Sequence, residues 1–287
     1  MIDALRQFLV VAELGSVTAA ARRVHLSQPA LSAALQRLEA ELGAPLLVRT
    51  RRGVEPTAAG QVLVAHARTV LAAMDDARRA VAEVSGLRAG EVRVGAGATL
   101  CTYVLPRYLA AFREAHPGIR LRLREGTTAS LQSDLEDGAI DLALLAGESD
   151  EALGGEFWCD DEVILVRGPK SREEAFVTFP SGASTRSLLD RYFPEAEVVM
   201  ELSSIAAVKG NARAGVGRAL VSRFAVVHDL AQGRLVRVRD PRTPLRRVFT
   251  LAHRGLERLS PAAAALRGAL LADPPRLPRS AAARGGG

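Results

Sequence analysis

Val17-Thr18-Ala19-Ala20-Ala21-Arg22-Arg23-Val24-His25-Leu26-Ser27-Gln28-Pro29-Ala30-Leu31-Ser32-Ala33-Ala34-Leu35-Gln36-Arg37-Leu38 is the stretch on which the reading of this chain turns. Thr18 predicts the N-cap of a short Ala-rich helix over 19–24, and His25-Leu26 predicts a turn. Ser27 caps the next helix, with Pro29 in its first turn, where a missing N–H costs little. Leu31, Leu35, Leu38 and Leu42 form one apolar stripe, and Gly43 ends the helix. The opposite face carries Pro29, Ala33, Gln36 and Arg37, flanked by Gln28 and Ser32. A short helix, a tight turn and a longer helix with a small polar first turn make a helix-turn-helix. The first turn of such a helix goes deepest into the major groove of DNA, so its residues must be small or polar. Gln pairs with adenine edges, and a Ser hydroxyl adapts to several bases.

The flanking segments extend this pattern. Upstream, Ala4, Leu5, Phe8, Leu9, Val11 and Ala12 recur at helical spacing before Gly15-Ser16. Downstream, 45–57 reads as a β-hairpin wing with Arg49, Arg51 and Arg52 at its tip, placed to meet phosphates or the minor groove. From Thr57 to about Gly86 a helix is expected. Its residues Leu63, Ala67, Val70, Met74, Ala77, Val81 and Val84 alternate in steps of 4 and 3, a coiled-coil seam that a second copy would bury.

Beyond residue 90 the pattern alternates strand and helix. Strands are expected at 91–96, 119–123, 140–145, 163–166, 198–202, 219–222 and 249–253. A loop is expected at 97–102, leading into a helix through Leu105, Pro106 and Phe112; further helices are expected at 131–135, 188–193, 205–214 and 261–271. This is an α/β domain with a parallel-rich sheet. From Asp273 onward Pro, Arg, Ala and Gly dominate, which predicts a disordered tail. The 287 residues suit about two domains, and a net charge of +6 suits a polyanionic partner. No signal peptide or membrane-spanning run is visible, so a cytoplasmic location and no membrane partner are expected. The two cysteines make no disulfide framework, and the five histidines show no metal spacing. No phosphate-binding loop or nucleophile elbow appears, so neither an enzyme nor a cofactor is expected.

The segments Phe8 to Ala21, Leu26 to Ser32, Leu38 to Gly43, Leu47 to Val54 and Pro56 to Gly60 together resemble the LysR-type transcriptional regulators. The resemblance is contiguous over about sixty residues, with a weaker likeness to Leu271. It implies a winged helix-turn-helix over 1–58, a linker and dimerisation helix over 59–88, and an effector-binding domain over 91–273. That domain is implied to be a two-subdomain periplasmic-binding-protein-like α/β fold. Subdomain I would cover about 91–163 and 250–273, subdomain II about 164–249, and 274–287 would be the tail. The implied function is promoter binding as a homodimer or homotetramer, controlled by a small-molecule effector, with RNA polymerase as a further partner. The alternative is a cytoplasmic small-molecule sensor whose first domain serves mainly oligomerisation; the basic wing argues against it.

The resemblance places Gln28, Pro29 and Ser32 against the bases. Thr18, Ser27, Gln36, Arg37, Arg49, Arg51 and Arg52 complete the candidate DNA-facing set. Many members carry basic or long polar residues where this chain has Ala33 and Ala34. The candidate dimerisation residues are Leu63, Val70, Met74, Ala77 and Val81. Hydroxyls at expected helix starts, Thr99, Thr102, Thr128, Ser184, Thr185, Ser203 and Ser204, are candidates to hold an anionic effector. Only residues 167–180 separate strand 163–166 from the Ser181-Gly182 turn, so the second subdomain is shorter than in typical members and its cleft is expected to be altered. Cys101 is read as a packing residue in preference to a redox-active thiol.

Overall fold

The computed structural model describes residues 1–51, 53–84, 90–147 and 153–277. Arg52, the end of the expected linker at 85–88, and residues 278–287 of the expected tail lie outside the described residues. Residues 274–277 form neither helix nor strand. The chain divides into two compact units, Met1–Val81 with the short Glu136–Ala139 segment, and the remainder. Among the described residues no helix is long and apolar enough to cross a membrane.

The first unit runs α1 (Ile2–Leu14), α2 (Val17–Arg23), α3 (Gln28–Leu42), β1 (Leu47–Thr50), β2 (Gly53–Pro56) and α4 (Ala58–Val84). Leu5, Phe8 and Val11 of α1, Ala20 and Ala21 of α2, and Leu31, Leu35 and Leu38 of α3 share one buried core. Each large apolar side chain buried there contributes about 1.5–3 kcal/mol. Leu42, expected in the same stripe, is exposed. The caps correct the sequence reading. Ser16, not Thr18, caps α2, accepting from the Ala19 N–H at 3.3 Å, while Ser27 caps α3 as expected. The reason is position: a cap side chain must sit outside the helix, and α2 begins at Val17, two residues earlier than the Ala run suggested.

The wing is an antiparallel β1–β2 hairpin, as expected. It is fastened to the helices at three points. The Glu39 carboxylate of α3 accepts the Leu46 and Leu47 N–H groups at 2.7 and 3.2 Å. The Thr57 hydroxyl donates to the Pro45 carbonyl at 2.7 Å and accepts the Gly60 N–H at 3.0 Å. The Val54 N–H donates to the carbonyl of Gly15 at 2.8 Å. There the backbones approach so closely that a Cβ on Gly53 would lie 2.4 Å from the Gly15 oxygen.

The second unit follows as β3 (Glu91–Ala96), α5 (Leu105–Ala115), β4 (Arg120–Glu125), α6 (Thr128–Glu136), β5 (Leu142–Ala146), β6 (Gly154–Arg167), β7 (Phe176–Thr178), α7 (Ser184–Tyr192), β8 (Val198–Glu201), α8 (Ile205–Ala214), β9 (Ala219–Ser222), α9 (Arg223–Ala231), β10 (Val236–Arg237), β11 (Leu245–His253) and α10 (Pro261–Ala272). The main sheet runs β10-β6-β11-β5-β3-β4, with β9 also on β6. It is mixed rather than parallel-rich. Only the β3 pairings with β4 and β5 are parallel, because β6 and β11 run antiparallel to each other and to their other neighbours. These two long strands join two lobes. Trp158 and Leu251 belong to one core with Val94, Phe112 and Leu266, whereas Ile164 and Val166 belong to another with Val208 and Val221. The short 167–180 stretch is not all connection: it carries β7, which pairs in parallel with β8.

The expected loop at 97–102 is helical instead. Helix begins at Ala98 and continues through a π-helical turn, Leu100–Val104, into α5. Leu105 donates to the Leu100 carbonyl, five residues back, and Pro106 next to it has no N–H to give.

Gly53 has φ +133°, a conformation that side chains rarely adopt. Gly53→Ala is therefore expected to destabilise the first unit by about 1–3 kcal/mol in denaturant unfolding. A change below about 0.5 kcal/mol, the range of ordinary surface substitutions, would contradict the close packing of wing and α1.

Candidate functional site

Two surfaces carry the candidate residues. On the first unit, Ser27, Gln28, Pro29, Gln36 and Arg37 of α3 and its cap are exposed, and Ser32 and Ala33 are half-buried. Ala34 is buried in the unit, so it is a packing residue and not part of that face. Arg49 and Arg51 are exposed on the wing. Thr18 is exposed and donates to Gln28 Oε1 at 3.3 Å. Along α4 the expected seam divides. Leu63 is half-buried and Ala67 fully buried against their own unit's core. Val70, Met74, Ala77 and Val81 are exposed.

On the second unit, segments that begin helices converge on one cavity of ≈ 300 Å³. Thr99, Thr128, Ser184, Thr185 and Ser203 line it, joined by Ser181 and Thr127; its apolar wall includes Leu131, Phe179 and Phe249. Thr102 and Ser204 are exposed and do not line it. The physical reason for Thr102 is the unexpected helix: from a start at Ala98, Thr99 and Thr102 are side chains of a helical turn and not neighbours in a loop. Ser204 is the N-cap residue of α8, but its hydroxyl makes no cap bond.

Whether these hydroxyls merely cap their helices can be decided one by one. Thr127 does, accepting the Ser130 N–H at 3.2 Å. Thr99, Thr128, Ser181 and Ser203 make no side-chain hydrogen bond among the described residues. Thr99 is only 9% exposed, so its hydroxyl has the cavity as its outlet. The first turn of α7 is likewise uncapped, since its N-cap is Ala183. Its leading N–H groups therefore have no intrahelical acceptor and favour negative charge.

Sequence reasoning missed the residue that organises this wall. Arg247, on β11, lines the cavity and donates to Ser184 Oγ at 3.0 Å and Thr185 Oγ1 at 3.3 Å. Its Nε donates to Asp161 Oδ2 at 2.8 Å, and Asp161 is completely buried. The Ser222 hydroxyl donates to Asp161 Oδ1 at 2.8 Å and accepts the Phe224 N–H at 3.2 Å. Burial pushes the Asp161 carboxyl up from the ordinary carboxylate value, while the Arg247 guanidinium and the Ser222 hydroxyl pull it back. A signal was present in the sequence: Asp160-Asp161-Glu162 and Arg246-Arg247 each interrupt or border an apolar strand, and side chains alternate across a strand. Glu125 also lines the cavity and is exposed.

Cys101 donates its thiol to the Ala96 carbonyl at 3.3 Å. Burial and the nearby Glu125 charge push its pKa up to about 12. A thiolate is disfavoured there, in keeping with a packing role.

Residues 2–61 match the family model described as bacterial regulatory helix-turn-helix protein, lysR family, and residues 85–274 match the LysR substrate binding domain. The RuBisCO operon transcriptional regulator of Allochromatium vinosum is 31% identical over 291 residues, covering 95% of this chain and 96% of its own length. Among solved structures, ArgP from Mycobacterium tuberculosis superposes with a TM-score of 0.67 at 20% identity, covering 94% of this chain and 95% of that one. Full-length CbnR complexed with its target DNA gives a TM-score of 0.61 at 22% identity, covering 94% and 98%. At those identities the structures establish the fold: a winged helix-turn-helix followed by the two-subdomain, periplasmic-binding-protein-like domain. With both family models matched in order, and near-complete coverage of a curated regulator, the chain belongs to the LysR family of transcriptional regulators.

Proposed function

We propose that this chain binds double-stranded promoter DNA through residues 1–58, with the first turn of α3 in the major groove and the wing on the backbone. Gln28, Pro29 and Ser32 meet base edges in this reading, and Ser27, Gln36, Arg37, Arg49, Arg51 and Arg52 hold phosphates or flank them. Residues 59–88 carry dimerisation through Val70, Met74, Ala77 and Val81, with Leu63 at the margin. Their exposure on α4 leaves an apolar stripe that a second copy covers. A homodimer, or a tetramer of two such dimers, presents paired recognition helices to a two-fold site. The reading places the chain in the cytoplasm, with RNA polymerase as a further partner at the promoter.

The second unit, 91–273, is the sensor in this reading. The observation that carries it is the convergence of uncapped helix starts, unpartnered hydroxyls and Arg247 on one cavity. These groups together suit a small anion held at Ser184, Thr185 and Arg247, with Thr99, Thr128 and Ser203 completing the contacts. Because Glu125 also lines the cavity, the fitting ligand carries hydrogen-bond donors as well as its acid group.

Fluorescence anisotropy on a site selected from random duplexes tests the DNA reading. Affinity is expected to fall steeply as salt rises, through counterion release. Arg51→Ala is expected to weaken all sequences alike, and Gln28→Ala to relax discrimination at one base pair by about 1–3 kcal/mol. Absence of retained duplexes at low salt, with folded protein, would sink the reading. For the sensor, thermal unfolding against a panel of carboxylates, sulfate and phosphate is expected to show at least one stabilising anion, with a smaller shift in Ser184→Ala. A flat panel counts against it.

A further inference from the structure

We propose that Thr18 is a positioning residue for base selection: its hydroxyl tethers the end of the Gln28 side chain, so that Gln28 reaches the DNA already placed. This rests on the reading of Gln28 as a base contact.

The starting observation is that Thr18 has no local task. It is the second residue of α2, exposed, and the capping role belongs to Ser16. Its hydroxyl instead donates to Oε1 of Gln28 at 3.3 Å, ten residues on. That bond is not needed to close the turn between the helices. The turn is closed by backbone bonds from Val24 to Ala20 and from Leu26 to Ala21, each 2.9 Å, with His25 in the left-handed region at φ 56°. The start of α3 is fixed separately by the Ser27 cap. With turn and cap satisfied, what the tether adds is the placement of a side-chain end.

Gln28 is the side chain for which placement matters. It is the first residue of α3, exposed, and long enough to sample many rotamers in free protein. Holding it in one arrangement on binding costs conformational entropy, and a tether made beforehand removes part of that cost. A Thr hydroxyl is suited to this. It is β-branched and stiff at χ1, so it offers a fixed anchor from the first turn of α2. Its donation occupies one lone pair of Oε1 and leaves the second lone pair and both Nε2 hydrogens for a base, the groups an adenine edge takes. Directly after Ser32, Ala33 is half-buried and Ala34 buried, so the next long polar side chains, Gln36 and Arg37, stand about two turns from the helix start, and the first turn carries most of the discrimination.

The test uses the full chain and the preferred duplex selected from a random pool, together with the three alternatives at the base pair where Gln28→Ala loses discrimination. Thr18→Val is expected to weaken binding to the preferred base by about threefold to tenfold, the range of one neutral hydrogen bond, and to leave the other three bases almost unchanged. Thr18→Ser is expected to restore most of the preference. In a Gln28→Ala background, Thr18→Val is expected to change nothing. An equal loss on all four bases, or the same loss without Gln28, would show a phosphate contact or a folding role and overturn the proposal; thermal unfolding of each variant identifies the latter. No effect of Thr18→Val on any base would also overturn it. If Gln28→Ala leaves discrimination intact at every base pair, it is the reading of Gln28 that fails, and the tether loses its purpose with it.

Discussion

The buried pair of Asp161 and Arg247 is the constraint on which the second unit depends. Asp161 is wholly removed from water in the middle of β6, and Arg247 on β11 is its counter-ion at 2.8 Å. Leaving either charge unpaired there would cost about 3–5 kcal/mol. The pair therefore fixes β6 against β11 where the two lobes meet, and through Ser222 it also holds the start of α9. The remaining donors of Arg247 reach the first turn of α7. A single structural ion pair thereby carries its cation to the wall of the cavity. The same arrangement limits what the cavity can attract, because Asp161 already offsets the charge of Arg247. In the proposed anion site, the further pull therefore has to come from helix starts and hydroxyls.

The first unit follows a different logic. Reading DNA with two elements, a helix and a wing, requires that their spacing not drift. Glu39 holds the root of the wing to α3, and Gly15 holds its far strand to α1 through a backbone contact that tolerates no side chain on Gly53. Rigid placement of Arg49 and Arg51 relative to the exposed first turn of α3 is the result. The local polar contacts follow the same division of labour: Ser16 and Ser27 cap α2 and α3, which leaves Thr18 available to Gln28.

Much of this was legible in the sequence. Apolar spacing located α1 and α3, the basic hairpin located the wing, and β3, α8 and β9 fall on the expected residues. Thr99, Thr128, Ser184, Thr185 and Ser203, hydroxyls near expected helix starts, share one cavity. What was not legible depended on partners far along the chain. Asp160-Asp161-Glu162 looks like a break in a strand, and only Arg247, 86 residues away, makes Asp161 tolerable inside β6. The helical turn at 98–104 was hidden because Gly97 and Pro106 bracket it like a loop, while the bond that sustains it spans five residues instead of four. Thr18 and Ser16 compete for one cap, and local sequence does not rank them; the start of α2 at Val17 does. The helix α9 gives no local signal in the sequence, because β9 runs into it through the single residue Ser222, with no Gly or Pro to mark the change.

In the proposed role of the second unit, separate helix starts act together on one anion. Hydrogen–deuterium exchange on the full chain, alone and with inorganic phosphate, sulfate or a dicarboxylate, measures this directly. At least one of these anions is expected to slow exchange jointly at the helix starts beside Thr99, Thr128 and Ser184. If none of them alters exchange at those turns, or slowing is confined to a single turn, the cavity is not the anion site described.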